Sequence, residues 1–318
     1  MITVISGGVG AARLLRGAAL VVPHDELVTI VNTGDDTVMH GLSISPDLDT
    51  VTYTVSGAID AERGWGLSDE AWTTMQALDR FATVRPDGSR AGENWFGLGN
   101  RDLATHFYRT TRLAEGATLE QVTAEIVRAF GIGFRVLPMS NERVSTIVSL
   151  ADGGDVAFQE YFVKLRHDVA VRAVRFDGAD RAAALGLDEL RGSRAVVIAP
   201  SNPIVSIGPM RALIGFDVAL AARRESVVAV SPIVAGAALK GPADRMLTEL
   251  GHEPSVVGVA RLYAPIAGTL VVDTADAALA PQVEAAGMRC VVADTIMKTP
   301  QVAADLTRAC LAAVGVTA

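Results

Sequence analysis

The chain has 318 residues, of which half are apolar and a fifth are charged, and its net charge is −8 at pH 7. An acidic chain with scattered arginines argues against binding to a nucleic-acid polymer, which requires a basic surface. No run of about 18 apolar residues occurs, which argues against a membrane-spanning helix. The two cysteines, Cys290 and Cys310, suit neither a disulfide framework nor a zinc cluster and predict a reducing cytoplasm.

The first 36 residues carry the pattern of a βαβ unit. A short apolar strand over 2–5 runs into Ser6-Gly-Gly-Val-Gly10, and a helix is expected over 9–20. A second strand over 27–31 then leads into Asn32-Thr-Gly-Asp-Asp36. Strand, turn, helix and strand in this order predict parallel pairing.

The middle of the chain, 66–180, breaks this alternation. Helices are expected over 69–81, 102–113 and 119–130, and Thr118 and Gln121 have the spacing of a capping box. Residues 144–150 and 156–163 resemble the strands of a hairpin. We therefore interpret 66–180 as an inserted subdomain of helices and a hairpin.

The alternation of strands and helices returns after residue 181. Together with the first 65 residues, 181–318 predict a Rossmann-like core in the α/β class, with a doubly wound and mostly parallel sheet. The expected strands are 195–199, 227–230, 269–272 and 289–293, and the expected helices are 209–222, 242–250 and 301–314.

Five unusual segments each follow an expected strand. In open α/β sheets, ligands bind beyond the carboxyl ends of the strands, so these segments are expected to border one cleft. They are residues 6–10, 32–36, 200–206, 231–241 and 294–298.

The glycine-rich turn lets a phosphate approach the backbone closely, and the following helix offers free N–H groups. Gly8 and Gly10 form part of a dinucleotide fingerprint, but Arg13 stands where its third glycine would be. No G-K-[S/T] follows, which argues against a Walker P-loop. The turn predicts phosphate contact, and a plain structural turn is the alternative.

Carboxylates cluster after the second strand, at Asp35 and Asp36 and again in Ser45-Pro-Asp-Leu-Asp49. Oxygen ligands beside a diphosphate suit Mg²⁺. Ordinary turn and cap chemistry is the alternative.

Four further segments offer ligand contacts. Ser201 and Asn202 lie between two prolines and can bond a phosphate or a base edge, and Lys240 offers a cation before a helix. Trp65 and Trp95 lie beside glycines, where a ring can stack on a planar ligand, although such residues more often belong to the core.

Nine segments in chain order carry a family resemblance. The chain is similar to the CofD/FbiA family, the 2-phospho-L-lactate (phosphoenolpyruvate) transferases of coenzyme F-420 biosynthesis. The segments are Gly7-Gly-Val-Gly10, Asn32-Thr-Gly-Asp-Asp36, Pro46-Asp-Leu-Asp-Thr50, Arg63-Gly-Trp-Gly66, Asp102-Leu-Ala-Thr-His106, Gln159-Glu-Tyr-Phe162, Ala199-Pro-Ser-Asn-Pro-Ile204, Ser231-Pro-Ile233 and Gly241-Pro-Ala-Asp244.

The resemblance implies a Mg²⁺-dependent, Rossmann-like enzyme, plausibly a homodimer. Such enzymes join the acid group of a guanosine-diphospho-linked donor, lactyl or enolpyruvyl, to the terminal ribityl hydroxyl of the deazaflavin Fo, releasing GMP. Asp35, Asp36 and Asp49 are the expected metal ligands, and Asp36 and Asp49 are the expected catalytic residues. Asp49 and Trp65 are assigned to Fo. Gly8, Gly10, Ser201, Asn202, Ser206 and Lys240 are assigned to the guanylated donor.

Two alternatives remain at this point. A YvcK-like regulator would bind a nucleotide sugar without catalysis, but Thr37-Val-Met-His-Gly41 after the carboxylate pair favours the transferase. A nicotinamide oxidoreductase would need a complete fingerprint. The acid carried by the donor, the assignment of roles among the aspartates and the role of residues 80–94, which differ from the family pattern, stay open.

Overall fold

The structure is a computed structural model, and it describes residues 1–317. Its strands are β1 (Ile2–Ser6), β2 (Leu27–Val31), β3 (Thr37–Met39), β4 (Leu42–Ile44), β5 (Arg135–Pro138), β6 (Ser145–Leu150), β7 (Asp155–Ala157), β8 (Val171–Asp177), β9 (Ala195–Ile198), β10 (Val227–Val230), β11 (Ile233–Val234), β12 (Ala237–Ala238), β13 (Thr269–Asp273) and β14 (Arg289–Ala293). Its α-helices are α1 (Gly8–Ala18), α2 (Pro46–Val55), α3 (Thr73–Leu78), α4 (Asp102–Ala114), α5 (Leu119–Ala129), α6 (Leu187–Gly192), α7 (Gly208–Arg211), α8 (Phe216–Ala221), α9 (Ala243–Glu249), α10 (Val256–Tyr263), α11 (Ala280–Ala285) and α12 (Pro300–Ala313), and a π-helical turn covers Glu160–Lys164.

Within residues 1–317, seven strands form a parallel central sheet in the order β14-β13-β10-β9-β1-β2-β5. The chain builds outward from β1 to β2 and β5, and then from β9 to β10, β13 and β14 on the other side. The strand order therefore reverses between β1 and β9, where ligands bind in doubly wound sheets. The predicted fold class is confirmed.

Helices cover both faces of this sheet. On one face, α1 packs against α12 and α2, and their apolar side chains meet those of the strands, Leu14 and Leu306 among them. On the other face, α8, α9 and α10 cover a second apolar cluster that includes Phe216 and Tyr263. Strands buried on both faces read as unbroken apolar runs, which is why β1, β9 and β10 could be predicted.

Residues 66–180 contribute more than helices and a hairpin. They hold α3, α4, α5 and an antiparallel sheet in the order β7-β6-β8, and they also supply β5, the edge strand beside β2. Pro138 is tolerated at the end of β5 because an edge strand leaves backbone donors unpaired. The capping box of Thr118 and Gln121 at the start of α5 is confirmed.

The expected strand over 156–163 is wrong beyond Ala157. The chain turns helical at Glu160–Lys164, where Phe158 and Phe162 stack with ring centroids 5.6 Å apart. Two rings four residues apart lie on the same side of a helical turn. In a strand, the residue midway between them would lie on that side as well. No helix among the described residues combines the length and apolar character needed to cross a membrane.

Candidate active site

All five segments expected beyond the strand ends border one cleft of about 740 Å³. The turn after β1 and the loop after β9 flank the point where strand order reverses. The remaining walls come from α2, from the loop around Trp65 and from residues 158–163. The expectation that these segments share one cleft is confirmed.

The glycine-rich turn fits tightly against its neighbours. Gly8 has a φ of +74°, a left-handed conformation that favours glycine. A Cβ on Gly10 would lie 2.2 Å from the carbonyl oxygen of Pro200, and one on Gly7 would lie 2.6 Å from Cβ of Ser206. The glycines therefore bring the start of α1 against the 200–206 loop, whatever else they bind.

Ser201 and Asn202 hold this arrangement together. The Oγ of Ser201 accepts a hydrogen bond from the backbone N–H of Gly7 at 3.2 Å. Asn202 Oδ1 accepts bonds from the N–H groups of Ile204 and Val205, so it shapes its own loop. Both residues, with Ser206, line the cleft beside the turn.

A buried carboxylate pair, Asp35 and Asp47, faces the turn. Asn32 Nδ2 donates to both, at 3.3 Å and 2.9 Å, and Gln159 Nε2 donates to Asp35 at 2.7 Å. Burial, followed by the charges of Asp47 and Asp36, raises the pKa of Asp35 well above its ordinary value. Burial also raises the pKa of Asp47 to about 6, although Asn32 and the N–H of Gly8 hold its charged form. The hydrogen bonds to these two carboxylates come from neutral groups, so their negative charge is not balanced.

Asp36 lies just behind this pair and is not part of the cleft lining. Its Oδ2 accepts from Ser45 Oγ at 2.6 Å, but its Oδ1 is sealed from water without a hydrogen-bond partner. Burial raises its pKa to about 8. A buried carboxyl oxygen without a donor is costly in the ionised state.

Asp49 lines the cleft, and its carboxylate is paired with an arginine that is not part of the cleft lining. Arg109, itself fully buried on α4, forms a two-pronged ion pair with it, one prong measuring 3.1 Å. Burial acts to lower the pKa of Arg109, but the Asp49 carboxylate outweighs burial and raises it. The charge of Asp49 is therefore already balanced by the protein.

A second buried network extends from this ion pair. Arg109 Nη1 lies 3.3 Å from His106 Nδ1, and because arginine only donates, the His106 proton belongs on Nε2. That nitrogen lies 3.2 Å from Asp102 Oδ2, and Tyr53 donates its hydroxyl to Asp102 Oδ1 at 2.6 Å. Burial acts to raise the pKa of Asp102, but the adjacent His106 ring and the hydrogen bond from Tyr53 hold it below its ordinary value. Asp102 thus presents an ionised carboxylate to the cleft.

Aromatic rings form the outer wall of the cleft. Trp65 is 45% exposed and packs edge-on against Trp72, with centroids 5.6 Å apart, and the Arg63 guanidinium lies over both rings. Trp95 and the stacked Phe158 and Phe162 line the cleft as well. Such a wall suits a planar ligand.

Lys240 reaches across the cleft to the loop that carries Trp65. A Cβ on Gly64 would lie 2.6 Å from the Nζ of Lys240, so the lysine head is packed against this loop. Burial and the charge of Arg13 both lower its pKa. A cation in this position is available to a negatively charged ligand.

The donor set fits a hard divalent cation. Asp35 and Asp47 offer carboxylate oxygens at the cleft wall, and the Asn32 side-chain N–H groups hold the two carboxylates in place without being ligands themselves. The raised pKa values of both carboxyls indicate uncompensated charge. Mg²⁺ binds through one or two carboxylates and retains several waters, so the pair is sufficient. Asp49, Asp102 and His106 also lie within 4.8 Å of one another, but Arg109 competes for that position.

Sequence reasoning missed several residues of the cleft. Asp47 counts among the clustered carboxylates but has no separate role in the sequence analysis, and Gln159, Asp102 and His106 have no site role there at all. The four-residue spacing of Asp102 and His106 could have indicated their shared helix face. Tyr53 carried no signal, because its partner Asp102 lies 49 residues away.

The model of the family described as 2-phospho-L-lactate transferase CofD matches residues 2–309. The chain belongs to the CofD family. It is therefore a transferase of coenzyme F-420 biosynthesis, in the family that its nine motifs resemble. The nicotinamide oxidoreductase interpretation is rejected.

Curated relatives of the chain agree with this membership. Two proteins named phosphoenolpyruvate transferase, from Kitasatospora aureofaciens and Streptomyces griseus, are each 41% identical over 98% of this chain and 97% of their own. A third of the same name, from Mycobacterium ulcerans, is 38% identical over 99% of both.

A solved structure shares the fold. The crystal structure of a UPF0052 family protein from Bacillus halodurans superposes with a TM-score of 0.58, covering 98% of each chain at 17% identity. At this identity the likeness concerns architecture alone.

Proposed function

We propose that the protein transfers a phosphoenolpyruvyl or 2-phospholactyl group from a guanosine-diphospho-linked donor to the terminal ribityl hydroxyl of the deazaflavin Fo. GMP leaves, and coenzyme F-420-0 or its dehydro form results. The observation that carries this proposal is the single cleft in which a glycine-rich turn, a carboxylate cluster and an aromatic wall face one another. These parts match a diphosphate, a cation and a planar ring.

The donor is assigned to the strand-reversal side of the cleft. Gly8 and Gly10 lie in the first turn of α1, where the helix dipole and N–H groups without intrahelical partners favour a phosphate, and the Gly8 N–H already bonds the Asp47 carboxylate. Ser201, Asn202 and Ser206 form the adjoining wall, and Lys240 adds a positive charge from the opposite loop.

The acceptor is assigned to the aromatic side. Trp65 offers an exposed ring face at the mouth, and Asp49 lies deeper in the same cleft. In the reaction, the hydroxyl oxygen bonds to the phosphorus that bears the acid, and the bond from that phosphorus to the bridging oxygen breaks. GMP takes the electron pair, and the hydroxyl proton passes to a carboxylate.

The proton acceptor is one of the carboxylates that line the cleft. Asp36 and Asp49 were expected to carry the chemistry, but only Asp49 lines it, together with Asp47 and Asp102. Phosphoryl transfer depends chiefly on positioning and charge compensation, so each of these can act by orienting the hydroxyl.

Mg²⁺ would be held by Asp35 and Asp47, with Asp36 behind them, and would offset the charge of the diphosphate. Without Mg²⁺, a phosphate at Gly8 would be repelled by the Asp47 carboxylate, which accepts a hydrogen bond from the backbone N–H of Gly8. We also place the reaction in the cytoplasm, consistent with two free cysteines, and propose a homodimer, which light scattering would test.

The direct test supplies purified protein with Fo, Mg²⁺ and each guanylated acid, lactyl, enolpyruvyl or glyceryl. We expect GMP release with one of them, together with a phosphodiester of the matching mass. Asp47→Asn and Asp49→Asn should each lower kcat by at least ~100-fold. Asp180→Asn, which changes an exposed carboxylate, should not.

Three results would count against the proposal. Absence of a phosphodiester with all three donors would refute the transfer itself, and nucleotide-sugar binding without turnover would favour a regulator. Parent rates in both cleft variants would refute the assignment of the carboxylates.

A further inference from the structure

A smaller cavity of about 350 Å³ lies beside the cleft, between α1, the loop after α2 and the start of α12. Its walls include Arg13 and Arg16 of α1, and Lys298 just before α12. Val9, Arg13, Gly64 and Met297 line both the cavity and the cleft, so the two spaces are neighbours. The proposed function gives this cavity no role.

Positive charge gathers in this cavity without compensation. Within residues 1–317, Arg13, Arg16 and Lys298 form no salt bridge, although most arginines of this acidic chain do. Asp60 lines the cavity, but it is paired with Arg63 at 2.9 Å. Three cations therefore share a small space in which the local carboxylate is already neutralised.

The geometry places two of these cations together. Arg13 and Arg16 are three residues apart on α1, so their side chains project from the same face of the helix. Lys298 approaches from the opposite wall, where Thr299 caps the 14-residue helix α12. All three side chains are exposed at the cavity, so they are available to an incoming anion, and guanidinium groups bind phosphate oxygens in pairs.

We propose that this side cavity binds a phosphate-bearing small molecule at a position separate from the glycine-rich turn. The phosphate belongs either to a free molecule or to the distal part of one lying in the cleft. The inference rests on the cavity and its charges and does not depend on the identity of the transferase substrates.

Calorimetric titration with inorganic pyrophosphate tests the proposal, with and without saturating GDP to fill the turn. In Arg16→Gln/Lys298→Gln, we expect pyrophosphate affinity at the side cavity to fall at least ten-fold. The matched control is Arg128→Gln/Arg172→Gln, which removes two exposed charges away from the cavity and should change affinity less than two-fold. Each cavity variant is also made singly, so that one misfolded protein cannot decide the outcome.

The two sources of phosphate give different results. A free molecule predicts that pyrophosphate still binds when GDP is saturating, and that GDP affinity is equal in variant and parent. A distal group predicts that GDP displaces pyrophosphate and that GDP itself binds the variant less tightly. Equal pyrophosphate and GDP affinities in the parent, the cavity variants and the control would overturn the proposal. Failure of GDP to bind would count against the proposed donor site and not against the side cavity. The side cavity is still tested by titrating pyrophosphate into the parent and the variants without GDP.

Discussion

The carboxylates around the cleft fall into two groups with different neighbours. Asp49 is paired with Arg109, and Asp102 accepts the Tyr53 hydroxyl beside His106. Asp35, Asp36 and Asp47 accept only amide or hydroxyl donors, and the Arg109 charge acts on Asp36 without a bond. The first group is compensated by the fold. The second has raised pKa values and depends on a proton or a cation.

Asp36 should therefore make stability depend on pH in the absence of divalent cations. Its pKa is raised from 3.8 to about 8 on folding, so the folded state binds the proton more tightly. The contribution of Asp36 to stability is then greatest below about pH 4 and is lost as pH rises towards 8. In Asp36→Asn, the fall in unfolding free energy between pH 5 and pH 8 should shrink by at least ~1.4 kcal/mol, one pKa unit.

Urea unfolding in EDTA at several pH values measures this difference. Asp180→Asn serves as the control, because that carboxylate is exposed. A parallel pH dependence in Asp36→Asn and the parent would contradict the assignment. Added Mg²⁺ should stabilise the parent more at pH 8 than at pH 5, since the cation binds the ionised carboxylates.

Arg109 is the residue on which the compensated group depends. Arg109→Gln leaves the Asp49 carboxylate buried beside a neutral side chain, and breaking a buried ion pair in this way costs about 3–5 kcal/mol. Arg112→Gln, on the same helix, removes a more exposed pair with Glu125 and should cost much less than Arg109→Gln. Denaturant unfolding compares the two, and Asp49→Asn/Arg109→Gln should recover part of the loss. Equal costs for the two single variants would refute the burial argument.

Among the elements, α1 packs closely against α12, and α1 also carries the glycine-rich turn of the site. Gly17 of α1 lies against the backbone of α12, where a Cβ would be 2.3 Å from the carbonyl carbon of Ala303. Gly17→Ala should push α1 away and destabilise the protein by about 1–3 kcal/mol, despite alanine's better helix propensity. The same shift should weaken GDP binding, because α1 carries the phosphate-binding turn.

Thermal unfolding and GDP titration check this prediction. The control is Gly192→Ala in α6, whose added Cβ would meet only Met1 at 3.8 Å and should be close to neutral. A Gly17→Ala protein as stable as the parent would show that the two helices can separate freely.

The helices and strands differed in how well the sequence predicted them. Strands such as β1 and β10 were visible because every residue is buried, which gives an unbroken apolar run. β5 was missed because it is short and ends in proline, and α2 was missed because its first turn, Pro46-Asp-Leu-Asp49, reads as a loop. The positions of Asp47 and Asp49 on that turn explain why both reach the cleft.

The molecule as a whole joins distant segments at one edge of its sheet. Sequence reasoning predicted this convergence from topology, but it could not predict which carboxylate meets which donor. The ion pair of Asp49 with Arg109 and the bond between Asp35 and Gln159 span 60 and 124 residues, and only the folded chain brings them together.

Ligand binding should accordingly slow the hydrogen exchange of several segments at the same time. With GDP bound, we expect slower hydrogen exchange in residues 6–13, 200–206 and 231–241, while the turn at 151–154 stays unchanged. Local protection arises because opening any one wall would release the ligand. Mass spectrometry of peptides from the free and bound protein measures this, and protection confined to one segment would contradict a shared cleft.

The aromatic wall gives the protein a built-in optical probe. The chain has three tryptophans, and all of them belong to this wall or touch it: Trp65, Trp72 and Trp95. Tryptophan emission from the unlabelled protein therefore originates entirely at the mouth of the cleft. A change in its intensity or colour on mixing with a ligand would report arrival at the wall in real time, with no background from the rest of the fold.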